Sequence, residues 1–166
     1  MKEVKISGNP TSVTENATLA EIAHSMNPMN AYLVANLNNR IVELHRIPEA
    51  GDNIEMLDIS NYHAYMVYQR SLVFVMIYAA RAVLGEDIRV VVEHSINKNY
   101  YCEIFKTGFL MTPDILEQIK LKMQEVIKAN MPINKHSFRL DKAIEIAEQM
   151  NLPDKVRLLK YHIKPC

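Results

Sequence analysis

The chain has 166 residues, 49% of them hydrophobic and 23% charged, and its 19 basic side chains balance 19 acidic ones. That composition excludes a disordered polymer and a polycation that holds nucleic acid by bulk charge, and it leaves room for one ordinary domain or two small ones. Neutrality hides an asymmetry: residues 1–62 carry four Lys or Arg against eight acids, and residues 63–166 carry fifteen against eleven. The cysteines, Cys102 and Cys166, are too few and too far apart for a disulfide framework or a paired-cysteine metal signature, which points to a cytoplasmic setting. The start, Met1-Lys2-Glu3-Val4, lacks the apolar core of a signal peptide. The most apolar run, Leu72 to Ala80, is nine residues between Arg70 and Arg81, against the roughly 20 that span a bilayer. No membrane partner is expected.

In chain order, strands are predicted at Glu3 to Ser7 and at Ser12 to Thr14, either side of a turn at Gly8-Asn9-Pro10. Thr18 with Glu21 three residues on forms a capping box, which opens a helix from Leu19 to Met26 with Leu19, Ile22, Ala23 and Met26 on one face; Asn27-Pro28 stops it. Strands follow at Ala31 to Leu37, Ile41 to Leu44 and Ile54 to Ile59, the first two joined by Asn38-Asn39, a pair that tolerates positive φ. The order ββαβββ over about sixty residues describes a β-grasp, one of the small α+β layouts. Next comes a long helix, His63 to Leu84, apolar on almost every side and so expected to be central and largely buried, ended by Gly85.

A hairpin is predicted from Ile88 to Ile96 and Tyr100 to Lys106 across Asn97-Lys98-Asn99. Thr112-Pro113-Asp114 then opens a helix to about Asn130, with Ile115, Leu116, Ile119, Met123, Val126 and Ile127 as its apolar stripe. Ser137 to Leu140 reads as a strand, and Asp141 as the cap of a helix through Met150 closed by Asn151 and Pro153. The segment from Lys155 to Cys166 still alternates where the sequence stops, so the chain is expected to be part of a longer polypeptide with a covalently linked downstream domain.

Chemistry-bearing motifs are sparse. None of the six histidines has HxxxH or HExxH spacing, so no metal is expected. Neither GxxxxGK[ST] nor GxGxxG can be written with Gly8, Gly51, Gly85 and Gly108, and there is no GxSxG elbow. Cys102 alternates on a strand as core filler, with no base beside it to activate the thiol. Positive charge at Arg70, Arg81, Arg89, Lys98 and the cluster Lys155, Arg157, Lys160 and Lys164, with Tyr100, Tyr101 and Tyr161 able to stack on bases, offers RNA contact; a merely solvated face is the alternative.

Several of these segments together resemble a known arrangement. The capping-box helix, the run Tyr32 to Leu44 and the strand from Asp52 to Leu57 resemble the ubiquitin-like TGS domain of threonyl-tRNA synthetases. The long helix, the run Glu93-His94-Ser95-Ile96-Asn97-Lys98-Asn99-Tyr100-Tyr101-Cys102-Glu103-Ile104 and the capped helix after Thr112 resemble the second additional domain of those enzymes. The resemblance implies an α+β chain with a TGS-like β-grasp at 1–61 and an incomplete synthetase-editing-domain-like region at 62–166. The same pair of domains heads a bacterial group similar to uridine kinase, and Glu93-His94-Ser95-Ile96 resembles that group more closely. This implies a non-catalytic regulatory or ligand-binding region, with ATP and magnesium needed only by a P-loop domain downstream and no cofactor in this chain. The synthetase reading, as an editing region or tRNA deacylase, is the alternative, and a self-association module is a third. In the synthetase an HxxxH pair on the long helix helps build the editing site; Arg70 and Phe74 stand there here, and neither can serve as a zinc ligand. Arg70, His94 and Tyr101 are the expected cleft, for tRNA or another RNA or for a small ligand.

Overall fold

A computed structural model describes residues 1–29, 31–96 and 99–161, with Ser95 and Ile96 described in their backbone only. The chain divides into two compact units, Met1–Val75 and Met76–Cys166, and the division falls inside the long helix.

In the first unit, β1 (Lys2–Ile6) and β2 (Asn9–Val13) are antiparallel, α1 spans Leu19–Met26, β3 (Val34–Leu37) and β4 (Arg40–Val42) form a second hairpin, and β5 is Asn53–Leu57. The sheet order is β2-β1-β5-β3-β4, with β5 parallel to β1 and antiparallel to β3. This is the β-grasp. Both hairpins turn on two residues with positive φ, Ser7 and Gly8 in one and Asn38 and Asn39 in the other, the geometry that matches strand twist. The first turn therefore lies ahead of the expected Gly8-Asn9-Pro10. Pro10 sits within β2 opposite Lys5, on an edge strand where its missing N–H costs no ladder bond.

The α1 cap forms as read from the sequence: Glu21 N–H donates to Thr18 Oγ1 at 3.3 Å and Thr18 N–H donates to Glu21 Oε2 at 2.8 Å. Its buried face, Leu19 and Ile22, packs on Val4, Ile6, Ala35, Leu37 and Ile54. On the opposite face of the sheet, Val34 and Leu57 pack with Ala64 and Val67. Those two residues belong to the start of α2 (Tyr62–Leu84).

The second unit begins within α2 and continues through β6 (Arg89–Ile96), β7 (Asn99–Phe105), α3 (Pro113–Lys128), α4 (Leu140–Gln149) and α5 (Pro153–Lys160). Its core joins Ala79 and Ala80, small enough for close helix approach, to Ile88 and Ile119. The middle of the expected turn, Asn97 and Lys98, lies outside the described residues.

Three expectations need correcting. The long helix is not buried on most sides: Tyr62, Tyr68, Phe74 and Tyr78 are exposed, because each unit has only a few elements to lay against it. It is also, among the described residues, the one helix long and apolar enough by length and composition to cross a bilayer, since it runs on through Arg70 and Arg81. Second, Ser137 to Leu140 forms no strand. Residues 131–139 have no helix or strand and are all exposed, and a four-residue alternation with no partner strand leaves its backbone groups to water. Third, Asp141 lies inside α4; the cap position is Arg139, which supplies no side-chain bond.

The last described segment, Pro153–Lys160, is helical. Pro153 occupies its first turn, where a proline is pre-organised. Between α4 and α5, Asn151 is left-handed and Leu152 N–H donates to the Ala147 carbonyl at 2.9 Å, a C-terminal motif that satisfies α4 and turns the chain sharply.

Candidate nucleic-acid interface

The β6–β7 hairpin has two chemically different faces. Val90 opposes Ile104 and Val92 opposes Cys102 on the face that meets the core, while Arg89 opposes Phe105 and Val91 opposes Glu103 on the other. Strict alternation would next set Glu93 against Tyr101. A bulge between Val92 and His94 shifts the register by one, so His94 faces Tyr101 instead. Such a bulge re-aims a side chain, and here it places an imidazole on the outer face beside an aromatic ring. The two rings stack with centroids 5.2 Å apart and planes 27° from parallel, and both residues are exposed.

The Tyr101 hydroxyl donates to Glu103 Oε1 at 3.1 Å. That bond, then the Glu103 charge, holds the phenol above its usual pKa, with smaller contributions from burial and from Glu93. Tyr101 therefore stays neutral as a stacking surface. At the other end of the same face the Arg89 guanidinium lies 4.5 Å over the Phe105 ring and pairs with Asp154 at 3.1 Å. Asp154 is in the first turn of α5, so this contact brings the basic helix to the outer face. From Tyr101 to Phe105 is about 13 Å along an extended strand.

Of the expected cleft residues, His94 and Tyr101 are brought together. Arg70 belongs to the first unit, exposed on α2, and is no part of this hairpin. Phe74, one turn on, is also exposed. In the basic cluster, Lys155 and Arg157 are exposed on α5, and Lys160 pairs with Glu148 at 3.1 Å; Lys164 lies outside the described residues, as does Lys98. Arg81 is a poor candidate for contact: its side chain is 14% exposed and its Nε has no hydrogen-bond partner. Tyr100, half-buried, is on the core-facing side of β7, whereas Tyr161 is exposed. Cys102 is half-buried, and burial pushes its thiol pKa up, which suits packing and not nucleophilic chemistry. An open groove of about 480 Å³ between α4 and α5 is lined by Leu152, Val156 and Arg157, among others.

Sequence reasoning missed the ion pair of Arg89 with Asp154 and the placement of Phe105 beneath that guanidinium. The alternation Tyr101, Glu103, Phe105 was the available signal for one shared face. Nothing local announces a partner 65 positions away. Among the described residues no group of three or more His, Cys, Asp or Glu side chains is placed to hold a metal ion.

No family model matches the chain. It is similar to threonine–tRNA ligases: 26% identical over 129 residues to that of Syntrophotalea carbinolica, covering 77% of this chain and 20% of the ligase. Over 155 residues it is 24% identical to that of Syntrophomonas wolfei, and over 157 residues 27% identical to that of Bdellovibrio bacteriovorus, each match covering 92% of this chain and 24% of the ligase. The chain thus spans a fifth to a quarter of the curated relatives it matches, and it is similar to part of a threonine–tRNA ligase.

Proposed function

We propose that the chain is a non-catalytic RNA-contacting region, in which an unpaired nucleotide stacks on His94 and Tyr101 while Lys155 and Arg157 meet the neighbouring phosphates. The observation that carries this reading is the bulge-directed stack on an open sheet face with a basic helix at its far end. Exposed aromatic rings on a sheet are a general platform for unpaired bases. Likeness to proteins named for tRNA supports an RNA ligand over a small molecule; the α4–α5 groove would suit the latter. Glu93 and Glu103 disfavour phosphate beside the stack and direct it toward α5.

The test is fluorescence anisotropy with a labelled single-stranded oligoribonucleotide and with tRNA. Tyr101→Ala should weaken binding by about tenfold or more, with circular dichroism unchanged. Removing Lys155 or Arg157 should each lower the salt slope of binding by about 0.7. No binding at low salt, or an affinity indifferent to Tyr101→Ala, removes the proposal.

A second reading, that the chain is the editing region of a threonyl-tRNA synthetase or a related deacylase, is favoured by the same relatives. Against it stand Arg70 and Phe74, which offer no ligand or base where the synthetase has histidines. Hydrolysis of mischarged tRNA by the purified chain decides between the two. The comparisons support the synthetase relation over a uridine kinase-like parent. The latter, with its ATP and magnesium, rests on the wording of residues 93–96, and a GxxxxGK[ST] motif in the reading frame beyond Cys166 is its test. A cytoplasmic location and self-association belong to the same proposal, the latter checked by sedimentation.

A further inference from the structure

We propose that the loop between α3 and α4 carries a second stacking site for single-stranded RNA, in which a base lies on the Phe138 and His136 rings and its phosphates meet Lys135 and Arg139. In the run Lys135-His136-Ser137-Phe138-Arg139 a cation stands on each side of two aromatic side chains. The rings of His136 and Phe138 stack on each other, centroids 6.1 Å apart and planes 24° from parallel. All five residues are exposed, Phe138 at 56%. Rings already stacked in the free loop lose less freedom when a base arrives. The Arg139 Nε lies 3.5 Å from Asp141 Oδ1, with the arginine side chain 90% exposed. An exposed pair of that kind is worth little, and the guanidinium fork takes phosphate in the geometry it offers a carboxylate, so a phosphate can displace Asp141.

Charge separates this site from the stack on the hairpin. From Val126 to Leu140 the chain has Lys128, Lys135 and Arg139 and no acid, whereas Glu93 adjoins His94 and Glu103 accepts from Tyr101. A nucleotide can bring its phosphates to the loop without meeting like charge there. Met131 and Ile133, exposed just ahead of the rings, would suit a protein partner. The cations beside the rings favour instead a polyanion that also offers flat bases. The site shares its ligand with the RNA reading and none of its residues, so the two can fail separately.

The experiment is fluorescence anisotropy on the full chain with a labelled single-stranded oligoadenylate. Phe138→Ala should weaken binding about tenfold. Phe138→Trp should keep the affinity, while Phe138→Leu, apolar but without a ring face, should lose as much as alanine does. Arg139→Gln should lower the salt slope by about 0.7. Thermal unfolding midpoints, expected to be unchanged at an exposed side chain, control for the fold. A Phe138→Leu variant that binds as the wild type does, or an unchanged salt slope in Arg139→Gln, overturns the loop site. Tyr101→Ala in parallel separates the two platforms. Loss from Phe138→Ala with none from Tyr101→Ala keeps the loop site and removes the hairpin reading; the reverse removes the loop site and spares the hairpin; no binding by the wild type at low salt removes both.

Discussion

Val4, Leu19, Ala35 and Ile54 in the first unit have no exposed surface at all, whereas among the described residues the buried apolar side chains of the second unit are Ala79, Ala80, Ile88, Ile119 and Ala147, mostly alanines. The second unit meanwhile exposes Leu110, Leu116, Phe138 and Leu158 by more than half of their surface. The two regions have similar lengths and apolar sequences. They differ in topology: a five-stranded sheet with helix on both faces can enclose large side chains, and a two-stranded hairpin covered on one face cannot. The first unit should be the stable scaffold, and the second the part with free surface for binding.

The sharpest test truncates one leucine or isoleucine in each. Leu19→Ala should destabilise the first unit by about 2–5 kcal/mol, while Ile127→Ala, at a side chain 56% exposed, should change the second by no more than about 0.5 kcal/mol. Native-state hydrogen exchange at β1 and β5 against β6 and β7 separates the units. Equal losses would mean that exposure in the second unit is a poor guide to its packing.

A smaller effect contrasts two buried cations. Lys2 is 9% exposed and its ammonium donates to the carbonyls of Glu15 and Pro48, so Lys2→Met leaves two acceptors unpaired and should cost about 1–3 kcal/mol. Arg81, almost as enclosed, leaves Nε without a partner and reaches Glu86 only at 3.4 Å. Arg81→Met should therefore be neutral or mildly stabilising, because a half-satisfied buried charge is often no better than a well-packed apolar group. Urea unfolding of both variants checks the contrast, and a large loss from Arg81→Met would break it.

The contrast also explains what could be read from the residues alone. Thr18 with Glu21, Asn38-Asn39 and Thr112-Pro113 are local chemistry, complete within four residues, and each forms at its expected place. Boundaries of the strands moved by up to three residues because ladder pairing, not propensity, ends a strand. The exposed flank of α2 was not legible: apolar residues on every side state what a helix could bury and not what is there to cover it. The supposed strand at Ser137 failed for want of a partner. Helix α5 was legible and missed, since Leu152, Val156 and Leu159 are spaced for a helix behind Pro153. At the candidate site, the hairpin that carries His94 and Tyr101 was readable, but the bulge that sets the two opposite each other, and the meeting of Arg89 with Asp154, depend on packing that no short window contains.

The smallest expected difference lies between the two threonine caps. Thr18 and Glu21 satisfy each other's backbone groups reciprocally, while Thr112 accepts a single bond from Ile115 N–H at 3.3 Å. Thr18→Ala should cost about 1 kcal/mol and Thr112→Ala somewhat less. The two caps should also separate with pH. The backbone N–H of Thr18, then its hydroxyl, holds the Glu21 carboxyl below its ordinary pKa. A carboxylate depressed in the folded state stabilises above its unfolded pKa, and that contribution fades as pH falls through the folded value. The penalty of Glu21→Gln, measured by thermal unfolding, should therefore be present at neutral pH and shrink in acid, while the penalty of Thr112→Ala should hold steady across the same range. A Glu21→Gln penalty independent of pH would mean that the box acts by shape alone and not by its charge.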